Sequence, residues 1–184
     1  MSFRGNEEES KTMKTTICFA SGMFAQCVDF CLELDKRCFP REMWMDDREV
    51  NELIAAGALA TTVTYNGMTV GLSITMAEND AYALLSDGDQ KFKPHEYGAY
   101  SYSEAIDPDY QKRGIGTLLL KETEIFLCEH GYKTMSAHVR RKNGWDMTRQ
   151  AVLSVISSRQ VPGFWPDQLN EPVMYQQATL LGLV

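Results

Sequence analysis

The residues best suited to chemistry form one run, Ile106-Asp107-Pro108-Asp109-Tyr110-Gln111-Lys112-Arg113-Gly114-Ile115-Gly116-Thr117. Before it, Tyr100 to Ile106 reads as a strand, rich in aromatic and small residues with no helical period. After it, Ile115, Leu118, Leu119, Ile125 and Phe126 make a helical apolar stripe that stops at Gly131, a good C-terminal cap. A strand that passes through a short basic loop into a helix N-terminus binds anions. The unpaired N–H groups of the first helical turn point outward, and the peptide dipoles place partial positive charge there. Gly114 and Gly116 let the backbone approach a phosphate, and Lys112 and Arg113 add full charges. A pyrophosphate is therefore the first candidate ligand. A dinucleotide-binding fingerprint would need a third glycine where Leu119 stands, together with an N-terminal strand–helix unit. A Walker loop would need Gly-Lys-Ser/Thr, and no such run exists.

Thiol or metal chemistry has weaker support. The five cysteines, Cys18, Cys27, Cys31, Cys38 and Cys128, are odd in number and include no Cys-x-x-Cys pair. Cys27, Phe30, Cys31, Leu34 and Cys38 recur at the spacing of a buried helical stripe, so these read as core thiols. No histidine or second cysteine pair is spaced to complete a metal site with Cys27 and Cys31, and no metal is expected.

The elements that position the loop follow from the rest of the chain. Its 184 residues suit one domain with a sizeable core, expected over 15–184 behind a polar, disordered tail at 1–14. A net charge of -7 argues against coating nucleic acid and weakly suits a cationic or amine-bearing acceptor. No apolar run reaches membrane-spanning length and the start has no signal-peptide core, so a cytoplasmic protein is expected. Thr15 to Ala20 is a strand candidate, followed by the cysteine-striped helix from Phe24 to Arg37, ended by Phe39-Pro40. Asp46 or Asp47 caps a second helix through Asn51 to Ala56, closed by Gly57. Thr61 to Tyr65 and Met68 to Met76 alternate around Asn66-Gly67, a hairpin. Glu78 to Gly98 has no clean period and reads as a long excursion with a helical turn near Tyr82 to Leu85. Met135 to Val139 is a strand, Ala151, Val152, Val155 and Ile156 mark a further helix, and Val173 to Ala178 is a last strand.

Gln-x-x-Gly-x-Gly, preceded by Ile-Asp-Pro-x-Tyr and followed by a leucine-rich helix, resembles the acetyl-CoA loop of the GNAT superfamily of N-acetyltransferases. The motif match runs from Ile106 to Leu120, and the order of elements extends the resemblance loosely from Thr15 to Thr179. It implies a mixed α/β (α+β) fold whose central sheet splays open between its fourth and fifth strands, with helices on both faces. It also implies acetyl-CoA as co-substrate, its pantetheine arm against Ile106. Cofactor contacts would come from Ile106, Gln111, Lys112, Arg113, Gly114, Ile115, Gly116, Thr117 and Asn143. The implied activity is direct acetyl transfer to a primary amine of a small molecule or peptide. A homodimer is compatible with it. The alternatives are a CoA-binding sensor on the same fold and an interaction domain whose loop binds nothing.

Such a reaction needs a base for the amine, donors for the oxyanion and help for the departing thiolate. Glu104, on the strand entering the loop, is the first candidate base, with Tyr100, Tyr102 and Glu104 expected on one face by the period of two. His138, at the end of the next strand, is the second. Members of the superfamily commonly place a Tyr acid on the helix after strand five, but no Tyr occurs between Gly144 and Gln160; Val155 falls there instead. Ser154, Ser157 and Tyr175 are the substitutes in reach of the pattern. Acceptor recognition is expected from Phe39 to Met45, from the excursion, and from Phe164 to Pro166, where Trp44, Tyr97, Phe164 and Trp165 either pack or line a pocket.

Overall fold

The computed structural model describes residues 15–85, 87–140, 145–164 and 173–181, with main chain only at 145–147. The expected tail at 1–14, Asn143 and Trp165 lie outside the described residues. The chain begins with β1 (Ile17–Met23), then α1 (Val28–Cys38) and α2 (Asp47–Ala55). Asp46 starts α2 with a capping box, its carboxylate accepting from Glu49 N at 2.8 Å while Glu49 Oε2 accepts from Asp46 N at 3.1 Å. The hairpin follows as β2 (Leu59–Tyr65) and β3 (Met68–Ala77), turned at Asn66 and Gly67 with φ of 50° and 85°. Next come α3 (Glu78–Leu85), β4 (Gly98–Ile106), α4 (Ile115–Glu129) and β5 (Thr134–Arg140). The chain closes with α5 (Trp145–Val152), β6 (Ser154–Val161) and β7 (Val173–Thr179).

The seven strands form one mixed sheet in the order β1-β2-β3-β4-β5-β7-β6. Only β4 and β5 run parallel, and they pair at three rungs: Gly98 with Thr134, Ala99 with Met135 and Tyr100 with Ser136. Beyond Tyr100 and Ser136 the two strands part, which is the expected splay. Phe24, Leu34, Leu53, Leu72, Ile74 and Met76 belong to the core under α1 and α2. The opposite side is covered by α4, whose Ile115 and Leu119 pack on Val63, Val70 and Ile106.

Several expectations need correction. The helix expected through Ile156 ends at Val152, because Val155 and Ile156, β-branched and followed by serines, pair with β7 instead. The helical turn in the excursion is a full helix, α3. Its buried Glu78 accepts from His95 N at 2.7 Å and from Ser136 Oγ at 2.5 Å, tying the excursion to β5. The buried face of α4 carries Ile115, Leu119, Leu120, Thr123 and Leu127, while Leu118 is 40% exposed. Of the cysteines only Cys31 is fully buried, and Cys18, on the edge strand β1, is exposed.

Candidate active site

At its C-terminal end β4 delivers the chain into the anion loop. The Asp107 side chain accepts from Asp109 N at 3.0 Å and caps a single 3-10 turn at Pro108–Tyr110. Arg37 of α1 bridges Asp107 and Asp109, so the first helix anchors the loop. Gln111 Nε2 donates to Ile106 O at 2.9 Å, closing the loop on itself. Lys112 and Gly114 then take left-handed conformations, with φ of 59° and 78°. Gly114 is the N-cap of α4 and offers no side-chain cap; the helical ladder begins with Leu118 N donating to Gly114 O. The first-turn amides of α4 therefore have no intrahelical acceptor, the arrangement that favours an anion. Arg113 donates to Asp109 O at 2.9 Å and lies 5.7 Å and 5.2 Å from the rings of Tyr65 and Tyr110, an aromatic cradle that orients its charge.

Upstream, β4 carries a one-residue bulge. Ser103 stands opposite Ile74 and Ser101 opposite Thr75, so Tyr102 has no partner on β3. The bulge shifts the alternation along β4, although Tyr100, Tyr102 and Glu104 still line one cleft. Tyr100 and Tyr102 both pack on the core beneath α1 and α2, whereas Glu104, opposite Ser73, reaches Arg149 on α5. That ion pair is closed at 2.8 Å, with side chains 5% and 1% exposed.

Where β4 and β5 part, a cleft of about 310 Å³ opens. Tyr100, Tyr102, Glu104 and His138 line it, with apolar walls from Phe39, Met43, Met45, Leu84, Leu85 and Phe164. Two further carboxylates face it. Asp35 of α1 is buried and accepts from Met45 N at 2.7 Å; burial raises its pKa. Glu49 of α2 accepts from the Tyr102 hydroxyl at 2.8 Å.

His138 sits at the head of the cleft in a chain of buried polar groups. Its Nε2 lies 2.9 Å from Asp89 Oδ2 and its Nδ1 lies 2.9 Å from the Tyr100 hydroxyl. Arg159 of β6 binds the same Asp89 oxygen and stacks over Tyr175 at 4.5 Å. Burial pushes the pKa of His138 down to about 4, despite the raising effect of Asp89, so the imidazole is neutral at neutral pH. Desolvation pushes the Asp89 carboxyl up, but hydrogen bonds from Arg159 and His138 outweigh it and hold the group below its ordinary value. An ionised Asp89 only accepts, so Nε2 carries the proton and Nδ1 accepts from the Tyr100 O–H. Phe164 stacks on the imidazole at 3.9 Å and 7°.

The structure thus brings His138, Tyr100 and Glu104 to one cleft, while Ile106 and Gln111 to Thr117 follow on the chain from β4 into α4, outside the cleft lining. Of the expected aromatics, Phe164 joins the site, while Trp44 and Tyr97 are 37% and 57% exposed. Ser154 and Ser157 lie on the edge strand β6, and Tyr175 on β7. Sequence reasoning missed Asp89, Arg159, Arg149, Asp35 and Glu49 as site residues. Asp89 reads in sequence only as part of an Asp-Gly-Asp turn. Asp46 and Glu49 have capping-box spacing, a signal for the helix start but not for the cleft.

Solved structures with the same fold include three acetyltransferases by name. The ribosomal-protein-S18-alanine N-acetyltransferase from Escherichia coli shares 17% identity, with 92% of this chain and 96% of that chain covered and a TM-score of 0.62. The yncA protein of Salmonella typhimurium, a putative acetyltransferase with its cofactor acetyl-CoA, shares 16% over 93% and 96%, also at 0.62. A GNAT family acetyltransferase from Elizabethkingia anophelis with acetyl-CoA bound shares 14% over 89% and 98%, at 0.61. Comparison with curated protein sequences gives no match. The model of the acetyltransferase (GNAT) family matches residues 28–145, from α1 through the anion loop to the start of α5, and the chain belongs to that family.

Proposed function

We propose that the protein transfers the acetyl group of acetyl-CoA directly to a primary amine held in the cleft. One observation supports the reading: β4 parts from β5 after Tyr100, lines a cleft with proton-handling groups, and runs on in sequence to the glycine-capped N-terminus of α4. The amides of the loop suit the pyrophosphate, with Lys112 and Arg113 as counter-charges. Beyond Tyr100 the β5-facing edge of β4 is unpaired, so an extended pantetheine arm can hydrogen-bond along it past Ile106. Amides near the Tyr102 bulge are placed to stabilise the oxyanion of the tetrahedral adduct. Holding amine and thioester together supplies much of the rate.

Glu104 and His138 are the proton acceptors nearest the parting of β4 and β5, the two strands they stand on. Glu104 is tied to Arg149, whereas His138 is reached through the Tyr100 hydroxyl. Asp35 and Glu49, set among apolar walls, favour an acceptor with a cationic amine on an apolar body. A thiol-release assay with acetyl-CoA across small amines and peptide amines tests the reading. Amine-dependent release of CoA supports it. Binding of acetyl-CoA without release under any amine leaves the CoA sensor in its place.

A further inference from the structure

We propose that Tyr100, His138 and Asp89 form a proton shuttle at the head of the cleft, in which the Tyr100 hydroxyl collects the proton from the acceptor nitrogen and returns it to the CoA sulfur. The inference rests on the acetyl-transfer reading and says which atoms carry its proton.

The geometry fixes the direction of the chain. Arg159 and His138 both donate to Asp89, so Asp89 is a pure acceptor and Nδ1 of His138 presents a lone pair to Tyr100. The tyrosine oxygen keeps lone pairs of its own while its proton points at Nδ1. It can therefore receive a proton at one side as it gives one up at the other. This is the logic of a Ser-His-Asp triad with a phenol in the place of the serine, used for proton transfer and not for attack.

The steps balance. The amine nitrogen bonds to the thioester carbon and becomes acidic. Its proton passes to Tyr100 Oη as the Oη proton passes to His138 Nδ1, leaving an imidazolium facing Asp89. When the C–S bond breaks, its electron pair leaves with sulfur, the Nδ1 proton returns to Oη, and the Oη proton goes to the thiolate. The acceptor's ammonium first gives one proton to solvent; a neutral amine and a thioester then enter the step, an amide and a thiol leave, and the protein ends as it began. One hydroxyl serves both bonds, so no Tyr on α5 is required, and the sequence supplies none between Gly144 and Gln160.

The surroundings suit this task. The His138 side chain is fully buried, walled by Phe92, Phe164 and Tyr175. The titratable and charged groups facing it are Tyr100 from β4, Asp89 from the excursion, Arg159 from β6 and Tyr175 from β7. With its pKa lowered to about 4, His138 starts each turnover neutral and holds the transferred proton only in passing, returning it to Oη as the C–S bond breaks. Tyr100 touches the reacting atoms; Asp89 and Arg159 are positioning residues.

Tyr100→Phe keeps the ring and its packing and removes only the hydroxyl. With acetyl-CoA and phenethylamine, kcat should fall about 100-fold. KM for acetyl-CoA and the thermal shift it induces should stay at parental values, and the remaining rate should rise steadily with pH as solvent base takes over. Nitrogen NMR of the parent, which needs no acceptor, should show His138 neutral with the proton on Nε2 across neutral pH. A Tyr100→Phe kcat within threefold of the parent, or a proton on Nδ1, overturns the shuttle. Absence of any acetyl-CoA thermal shift in the parent instead overturns the acetyl-transfer reading itself.

Discussion

Tyr100 and His138 stand on either side of the point where β4 and β5 part, joined Oη to Nδ1 at 2.9 Å. Tyr100 belongs to the last rung of the parallel pair, and His138 lies two residues beyond its partner Ser136. The hydrogen bond therefore spans the mouth of the splay. It holds the two strands together on the cleft side just where their backbones stop doing so.

The burial of His138 makes stability depend on pH. His138 has a folded pKa of about 4 against an ordinary 6.5, so between those values the unfolded chain binds a proton that the native protein does not. Stability contributed by the neutral imidazole is complete above pH 6.5 and is lost as pH falls toward 4, by up to about 3 kcal/mol. Asp89, lowered below its ordinary 3.8, loses its own contribution at still lower pH. Urea midpoints at pH 7 and pH 4.5 should differ strongly in the parent and much less in His138→Gln. An equal drop in both would remove His138 as the cause.

The Glu104–Arg149 pair makes a separate prediction. Glu104→Gln leaves Arg149 charged, with 1% of its side chain exposed and no carboxylate beside it at 2.8 Å, which should cost about 3–5 kcal/mol. Replacing both residues, Glu104→Leu with Arg149→Met, should recover most of that loss. Equilibrium unfolding in urea measures both. If the shuttle is correct, kcat of the folded Glu104→Gln fraction should stay within about tenfold of the parent, short of the full yield of a general base.

The cysteines should carry no acetyl group. Burial, reinforced by the charges of Asp35 at Cys31 and of Asp107 at Cys38, pushes both thiols up to about 12, so neither is a thiolate at neutral pH. Cys38 is the nearest to the loop, its Sγ donating to Ile106 O at 3.5 Å. Intact-mass analysis after mixing with acetyl-CoA alone should show no stoichiometric acetylation. One full acetyl equivalent on any cysteine would replace direct transfer by a two-step mechanism.

How much of this was legible in the sequence divides along local and non-local lines. The loop was legible because its signals, a Pro-started turn, paired glycines and a leucine helix, sit within a dozen consecutive residues. The β2–β3 hairpin was legible for the same reason, through Asn66-Gly67. The Tyr102 bulge was not, since only the register against β3 reveals it. Ala151, Val152, Val155 and Ile156 match a helical spacing, which the pairing of β6 with β7 overrides. The partners of His138 lie 38 residues away at Tyr100 and 49 residues away at Asp89, a constellation that only the closed sheet assembles.

The central claim is that acetyl-CoA binds where β4 gives way to α4. Isothermal titration of acetyl-CoA into the parent and into a Gly114→Val, Gly116→Val variant tests it most directly. Valine at position 114 would be forced to φ of 78°, and its side chain would stand in the open space beside the N-terminus of α4 that the bound pyrophosphate needs. The account predicts one acetyl-CoA per chain in the parent and no detectable binding in a variant that still melts cooperatively. Equal affinity in the two proteins, or no binding heat in the parent at any temperature, would contradict it.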